Sequence, residues 1–161
     1  FKRAQAQVPE AKLMIVGDGP ELESMREFSG NLGLEKSVIF PGRVEYCEIP
    51  AFYGAGYAFI MTSTTEVKPL AILEAMAAGL PVVAISAAGS SDTVNQGSDG
   101  LLTDHNMDHF TEALLRILKN PDERNKLSAG ARATSESYSI DHTAERLENL
   151  FERLIREKQN A

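Results

Sequence analysis

Short, unbroken apolar runs alternate along the chain with longer segments whose apolar residues recur every three or four positions. "KLMIVG" (12–17), "SVIFPG" (37–42), "YAFIMTS" (57–63), "PVVAIS" (81–86) and "GLLT" (100–103) are bounded by glycine, proline or polar residues, and each reads as a strand. Between them, "ELESMREFSGNLG" (21–33), "IPAFYGAG" (49–56), "PLAILEAMAAG" (69–79) and "GSSDTVNQG" (89–97) carry helix formers or helix-start signals. Three more helices follow, around 107–119, 122–135 and 141–158. Phe110, Ala113, Leu114, Ile117 and Leu118 make one apolar stripe there, and Leu147, Leu150, Phe151, Leu154 and Ile155 make another.

The strand runs do not alternate, which is the pattern of strands buried on both faces. Strand and helix alternating through short turns predicts one α/β domain over 1–161, a Rossmann-like parallel sheet flanked by helices. The last helix has a mixed charged face, which predicts a packed lid rather than a membrane anchor.

Composition narrows the partners. Apolar residues are 43% of the chain and charged residues 24%, as in ordinary globular proteins. The formal charge of −7 repels phosphate backbones, so no nucleic acid is expected as a partner. No run approaches the roughly eighteen apolar residues that a membrane span needs, and no direct membrane contact is expected from this domain. The lone cysteine, Cys47, leaves neither an intrachain disulfide nor a multi-cysteine metal site, with the cytoplasm as the default compartment. His105 and His109 stand four apart across a helix start, and no metal is expected there. The opening "FKRAQAQVPE" is polar and reads as the last turns of a helix already under way in a longer chain.

Candidate chemistry lies where strands lead into helices, because ligands of open parallel sheets bind beyond the carboxyl ends of the strands. The stretch "TSTTEVKPLAILEAMAAGLPVVA" (62–84) carries Glu66 and Glu74 eight residues apart. Pro69 can start a helix whose first free amides come from Leu70, Ala71 and Ile72, a seat for a phosphate with the cation of Lys68 beside it. Glu74, just over one turn inside, suits vicinal hydroxyls such as those of a ribose. Glu66, outside the helix, suits a polar group beyond the phosphates, such as a sugar. Glutamates near helix starts also offset the macrodipole, so spacing alone leaves a purely structural reading open.

Two other junctions say less. In "VGDGPELE" (16–23), Gly17 and Gly19 permit a tight turn and Pro20 suits the first helical position. The dinucleotide fingerprint would need glycine where Leu22 stands, so neither a nicotinamide nor a flavin cofactor is expected. "AAGSSDTVNQGSDG" (87–100) reads as a structural turn in which Gly89 permits close backbone approach and Ser90, Ser91 or Asp92 caps a helix.

Together, "VGDGPELE", "VIFPGRV", "TSTTEVKPLAILEAMAAGLPVVA" and "AGSSDTVNQGSDGLLT" resemble, in order and interval, the C-terminal donor-binding domain of family-4 retaining glycosyltransferases, the C-terminal half of a GT-B fold. The likeness runs almost end to end, and the E-x7-E element with "EAMAAGLPVV" is its most specific part. It implies that Glu66, the catalytic candidate, contacts the donor sugar, that Glu74 holds the ribose, and that backbone amides at Leu70, Ala71 and Ile72 meet the diphosphate. Arg43 and Val44 then pack against the nucleobase, while Gly17 and Gly19 border the pocket.

Pro69 stands where the family usually has glycine, Ala88 replaces the first glycine of a Gly-Gly pair, and Asp92 replaces a glutamate. The resemblance further implies a first strand of this domain, an Arg and Lys pair neutralising the diphosphate, and an N-terminal acceptor-binding domain, all lying before Phe1. The function it implies is binding of a nucleotide-diphosphate sugar, UDP-linked by default, and metal-independent transfer with retention in the full-length enzyme, where family members meet membranes through the acceptor half. The fragment alone is expected to be inactive and to bind nucleotide weakly. The alternatives are a non-catalytic interaction module on the same fold, against which the paired glutamates argue, or an epimerase or phosphorylase.

Overall fold

A computed structural model describes residues 1–159. Each apolar run forms a strand: β1 (Leu13–Val16), β2 (Val38–Gly42), β3 (Phe59–Met61), β4 (Val82–Ile85) and β5 (Gly100–Thr103). The helices are α1 (Lys2–Gln5), α2 (Leu22–Asn31), α3 (Ile49–Gly54), α4 (Leu70–Ala77), α5 (Ala88–Ser91), α6 (Met107–Lys119), α7 (Pro121–Glu136) and α8 (Ile140–Gln159). A 3₁₀ turn at Tyr46–Glu48, which the apolar pattern does not announce, leads into α3.

All strand pairs are parallel, and among the described residues they form two ladders, β1–β2 and β3–β4–β5. In the larger ladder, Phe59 pairs with Val82 and Val82 with Gly100. Side-chain alternation along β4 then divides the core between two faces. Val82 and Ala84 pack with Ile72 and Met76 of α4, Val94 and Ala131. Val83, on the opposite face, packs with Leu101, with Ala113 and Ile117 of α6, and with Leu127 of α7.

Burial on both faces is therefore realised at β4, where all four residues are buried. The smaller ladder does not reach it: Val16 and Ile39 remain 40% and 47% exposed. The larger ladder is covered by α4 on one face and by α6 and α7 on the other; β1 joins only β2, and the β1 and β3 edges have no partner strand among the described residues.

The stripe on α6 is buried as its periodicity predicts, at Ala113, Leu114 and Ile117. The stripe on α8 is not. No residue of that helix is buried, and Phe151 and Ile155 are 58% and 57% exposed, so α8 is not a packed lid in this fold. Periodicity settles which residues share a helix face, not whether another element reaches that face. No helix among the described residues is long and apolar enough to cross a membrane.

One buried carboxylate locks the second half together. Asp99, fully buried, accepts hydrogen bonds from the Asn95 backbone (2.8 Å), the Asn95 amide (2.6 Å) and the Thr134 hydroxyl (2.7 Å), tying the entry to β5 onto α7. Asp99→Asn places a donor among donors. It is expected to lower unfolding stability by about 1–3 kcal/mol, read as a lower urea midpoint. An unchanged midpoint would show that the network contributes nothing.

Candidate functional site

Every site residue expected from the sequence falls on the chain just after the carboxyl end of a strand or in the first turn and a half of the helix that follows it. After β1 the chain turns at Gly17, whose φ of +132° suits a residue without a Cβ. The Gly17 amide donates to the Gly42 carbonyl (2.9 Å), which joins the first glycine turn to the end of β2. Arg43 and Val44 follow directly, and Gly19 lies two residues beyond Gly17. These four residues make one neighbourhood, with Arg43 and Gly19 exposed and Val44 half-buried.

The second neighbourhood is the β3–α4 connection. Pro69 is buried and extended (ψ 96°) and caps α4 without a side-chain hydrogen bond. The Ile72 amide already donates to the Pro69 carbonyl (3.0 Å), and the Ile72 side chain is buried in the core. Among the described residues, the Leu70 and Ala71 amides have no acceptor, so two of the three expected donors stay open at the positive end of the helix dipole. Glu66 is exposed and its carboxylate has no hydrogen bond or ion pair among the described residues. The Lys68 ammonium sits over the Tyr138 ring, 4.2 Å from its centroid, on the turn between α7 and α8.

Two contacts give this connection its shape, and the sequence did not announce their partners. The Gly89 amide donates to the Glu66 carbonyl (3.1 Å), so the third junction supports the Glu66 loop. The Tyr53 hydroxyl, from α3, donates to Oε2 of half-buried Glu74 (3.1 Å). Burial, then the hydrogen bond to Glu74 and its charge, push the Tyr53 phenol well above its usual range, so it remains a donor. Gly89 carries a signal in the sequence, since a glycine at a helix start permits close backbone approach. Tyr53 carries none, because "IPAFYGAG" reads only as a short helix.

The histidine pair has a local explanation. His109 Nδ1 lies 2.7 Å from Asp104 Oδ1, a hydrogen bond that holds the imidazole above its usual pKa. Among the described residues, no three His, Cys, Asp or Glu side chains are grouped so as to hold a metal ion.

Residues 1–134 match the sequence profile of the family described as Glycosyl transferases group 1. The chain belongs to that family. Among group 1 glycosyl transferases it is similar to the sulfoquinovosyl transferase SQD2 of Arabidopsis thaliana, 30% identical over 143 residues, covering 86% of this chain and 27% of the relative. It is also similar to the GDP-mannose-dependent alpha-(1-6)-phosphatidylinositol monomannoside mannosyltransferase of Mycobacterium tuberculosis, 35% identical over 133 residues, covering 78% of this chain and 34% of the relative. The chain thus spans about a third of the length of these curated relatives.

Its fold matches the C-terminal domains of GT-B glycosyltransferases. The structure of Anabaena Alr3699/HepE in complex with UDP and glucose superposes with a TM-score of 0.80 at 26% identity, covering 94% of this chain and 43% of that one. Sucrose-phosphate synthase from Thermosynechococcus elongatus gives 0.77 at 25% identity, covering 96% and 41%.

Proposed function

We propose that this group 1 glycosyl transferase domain binds a nucleotide-diphosphate sugar, UDP-linked by default, and that the full-length enzyme transfers the glycosyl group to an acceptor with retention. One observation carries the reading: the β3–α4 connection presents two open amides between an unengaged carboxylate at Glu66 and an anchored one at Glu74. Anion, diol and sugar each find a suitable partner on one stretch of chain. In this reading the diphosphate lies on the Leu70 and Ala71 amides, the ribose on Glu74 and the sugar on Glu66. The base packs near Arg43 and Val44, bordered by Gly17 and Gly19.

The negative charge that develops on the departing diphosphate must be stabilised. The α4 dipole supplies part of that. An Arg and Lys pair upstream of Phe1 supplies the rest in place of a metal, and Lys68, whose ammonium rests on the Tyr138 ring, assists by leaving that ring when the anion binds. The acceptor binds a second, N-terminal domain. The strand order supports the upstream portion of the proposal: one further parallel strand between the open edges of β1 and β3 would give the 3-2-1-4-5-6 order of a doubly wound sheet. Support for the donor class comes from HepE, whose structure holds UDP and glucose, and from the GDP-mannose-dependent relative. Those two differ in base, so the base is the first quantity to measure.

Calorimetric titration of the chain with UDP, GDP and ADP tests the reading. One nucleotide is expected to bind best, and Glu74→Ala is expected to weaken it by about tenfold to a hundredfold, the loss of a charged hydrogen-bond acceptor. Equal affinity of parent and variant for all three would remove Glu74 from the ribose. Without the upstream basic pair, the 161-residue chain is expected to transfer no sugar under conditions where the full-length enzyme does.

A further inference from the structure

Glu74 is held in place from outside its own helix. Its Oε2 accepts the Tyr53 hydroxyl at 3.1 Å, and the same hydroxyl lies 3.4 Å from the Ala71 carbonyl one turn earlier on α4. The phenol therefore bridges Ala71 and Glu74 on α4, the helix whose first amides, at Leu70 and Ala71, are open. Tyr53 is itself fixed. Its ring meets Phe59 of β3 edge-on, with centroids 6.0 Å apart and planes at 63°, and its carbonyl accepts the Gly56 amide at 2.9 Å. Gly56 leaves that arrangement no slack, because a Cβ there would lie 3.0 Å from the Leu80 side chain and 3.1 Å from the Tyr53 carbonyl.

We propose that Tyr53 is a positioning residue for donor binding: it occupies Oε2 of Glu74 and leaves Oε1, which has no partner among the described residues, to take the ribose hydroxyls. The inference rests on the proposed ribose role of Glu74 and adds a residue that touches no substrate. A glutamate has three side-chain torsions, and a free one loses that freedom when it grips a ligand. A carboxylate already held by a packed phenol has lost it before the ligand arrives, so less of the binding free energy is spent on ordering. The donor must also stay protonated for this to work. Burial and the neighbouring carboxylate both keep the proton on the phenol oxygen, so the contact persists across the whole working pH range.

Tyr53→Phe removes the hydroxyl and keeps the ring against Phe59. Two measurements on the full-length enzyme separate the outcomes. The first is the side-chain order of Glu74 in the unliganded protein, read by NMR relaxation of its methylene carbons. It is expected to fall in Tyr53→Phe, and unchanged order overturns the proposal whatever the ligand does. The second is the ratio of affinities for UDP and 2′,3′-dideoxy-UDP. Tyr53→Phe is expected to weaken UDP by about five- to twentyfold and leave the dideoxy compound nearly unaffected. In turnover, KM for the donor rises while kcat holds. Loss of affinity for both nucleotides alike would mark a merely structural role and overturn the proposal. Glu74→Ala in the same assay isolates the underlying reading. If it leaves the ratio at the parent value, the ribose role falls; if it collapses the ratio and Tyr53→Phe does not, only the positioning role of Tyr53 falls.

Discussion

Glu66→Ala in the full-length enzyme is expected to lower kcat/KM for glycosyl transfer by about 10²–10³-fold and to change UDP affinity by less than about threefold. The separation follows from where the two carboxylates stand. Glu74 is half-buried on α4, tied to Tyr53, on the same helix whose Leu70 and Ala71 amides are open. Glu66 is on the loop before α4, exposed, with its carboxylate unengaged among the described residues. In the proposed reading, a side chain there meets the group beyond the phosphates rather than the nucleotide. As the bond to the diphosphate breaks, the sugar becomes electron-poor, and a carboxylate on its hydroxyls is attracted more strongly than in the ground state. Glu66→Gln keeps an acceptor and loses the charge, so its rate should fall between parent and Glu66→Ala. Initial rates and UDP calorimetry on the same preparations check this, with a thermal melt to show the fold intact. UDP binding that falls in step with turnover would place Glu66 at the nucleotide and end its assignment to the sugar.

Much of this site was legible in the sequence because it depends on backbone position. Once "YAFIMTS" is a strand and Pro69 opens a helix, Glu66 must lie outside that helix and Glu74 inside it, and the amides between them must point off its end. β5 and α6 keep the expected bounds for the same reason: "GLLT" and "MDHFTEALLRILK" are bracketed by Gly100 and by Asn106, whose side chain accepts from the Asp108 and His109 amides.

What escaped depends on contacts between segments far apart in sequence. Tyr53 reaches Glu74 across twenty-one positions, and nothing local distinguishes it from a core tyrosine. The third junction reads as a helix over 89–97, yet α5 spans only Ala88–Ser91: Asn95 is tied to buried Asp99 (2.8 and 2.6 Å) and Gln96 bridges to Gly100, so that stretch pairs with the entry to β5 instead of continuing the helix. The fate of α8 was equally out of reach, since its stripe needs a partner surface that the described residues do not supply.

The junction that looked merely structural supports the second large effect. Gly89→Ala is expected to cost about 1–3 kcal/mol of stability by overpacking and, separately, about 10² in transfer rate through a displaced Glu66. A Cβ at Gly89 would lie 2.4 Å from the Glu66 carbonyl oxygen, 2.9 Å from its carbon and 2.9 Å from the Val67 oxygen. All three are backbone atoms and cannot rotate aside. Moving α5 instead is resisted by the buried Ser90 hydroxyl, which donates to the Ile85 carbonyl at the end of β4 (2.6 Å). At Glu66 itself the loop is exposed and held by the Gly89 amide alone among its hydrogen bonds to the described residues, so it is the softer side and is expected to move.

Ala88→Gly, one residue away at an exposed position, is the control. It restores the glycine pair usual in the family, introduces no contact, and is expected to leave transfer near the parent rate with at most about 1 kcal/mol of helix propensity lost. Paired rate and urea-melt measurements on both variants distinguish the cases. A Gly89→Ala enzyme that loses stability but transfers sugar at the parent rate would show that the Glu66 loop can shift without consequence, and a carboxylate that can shift freely is not gripping a reacting sugar.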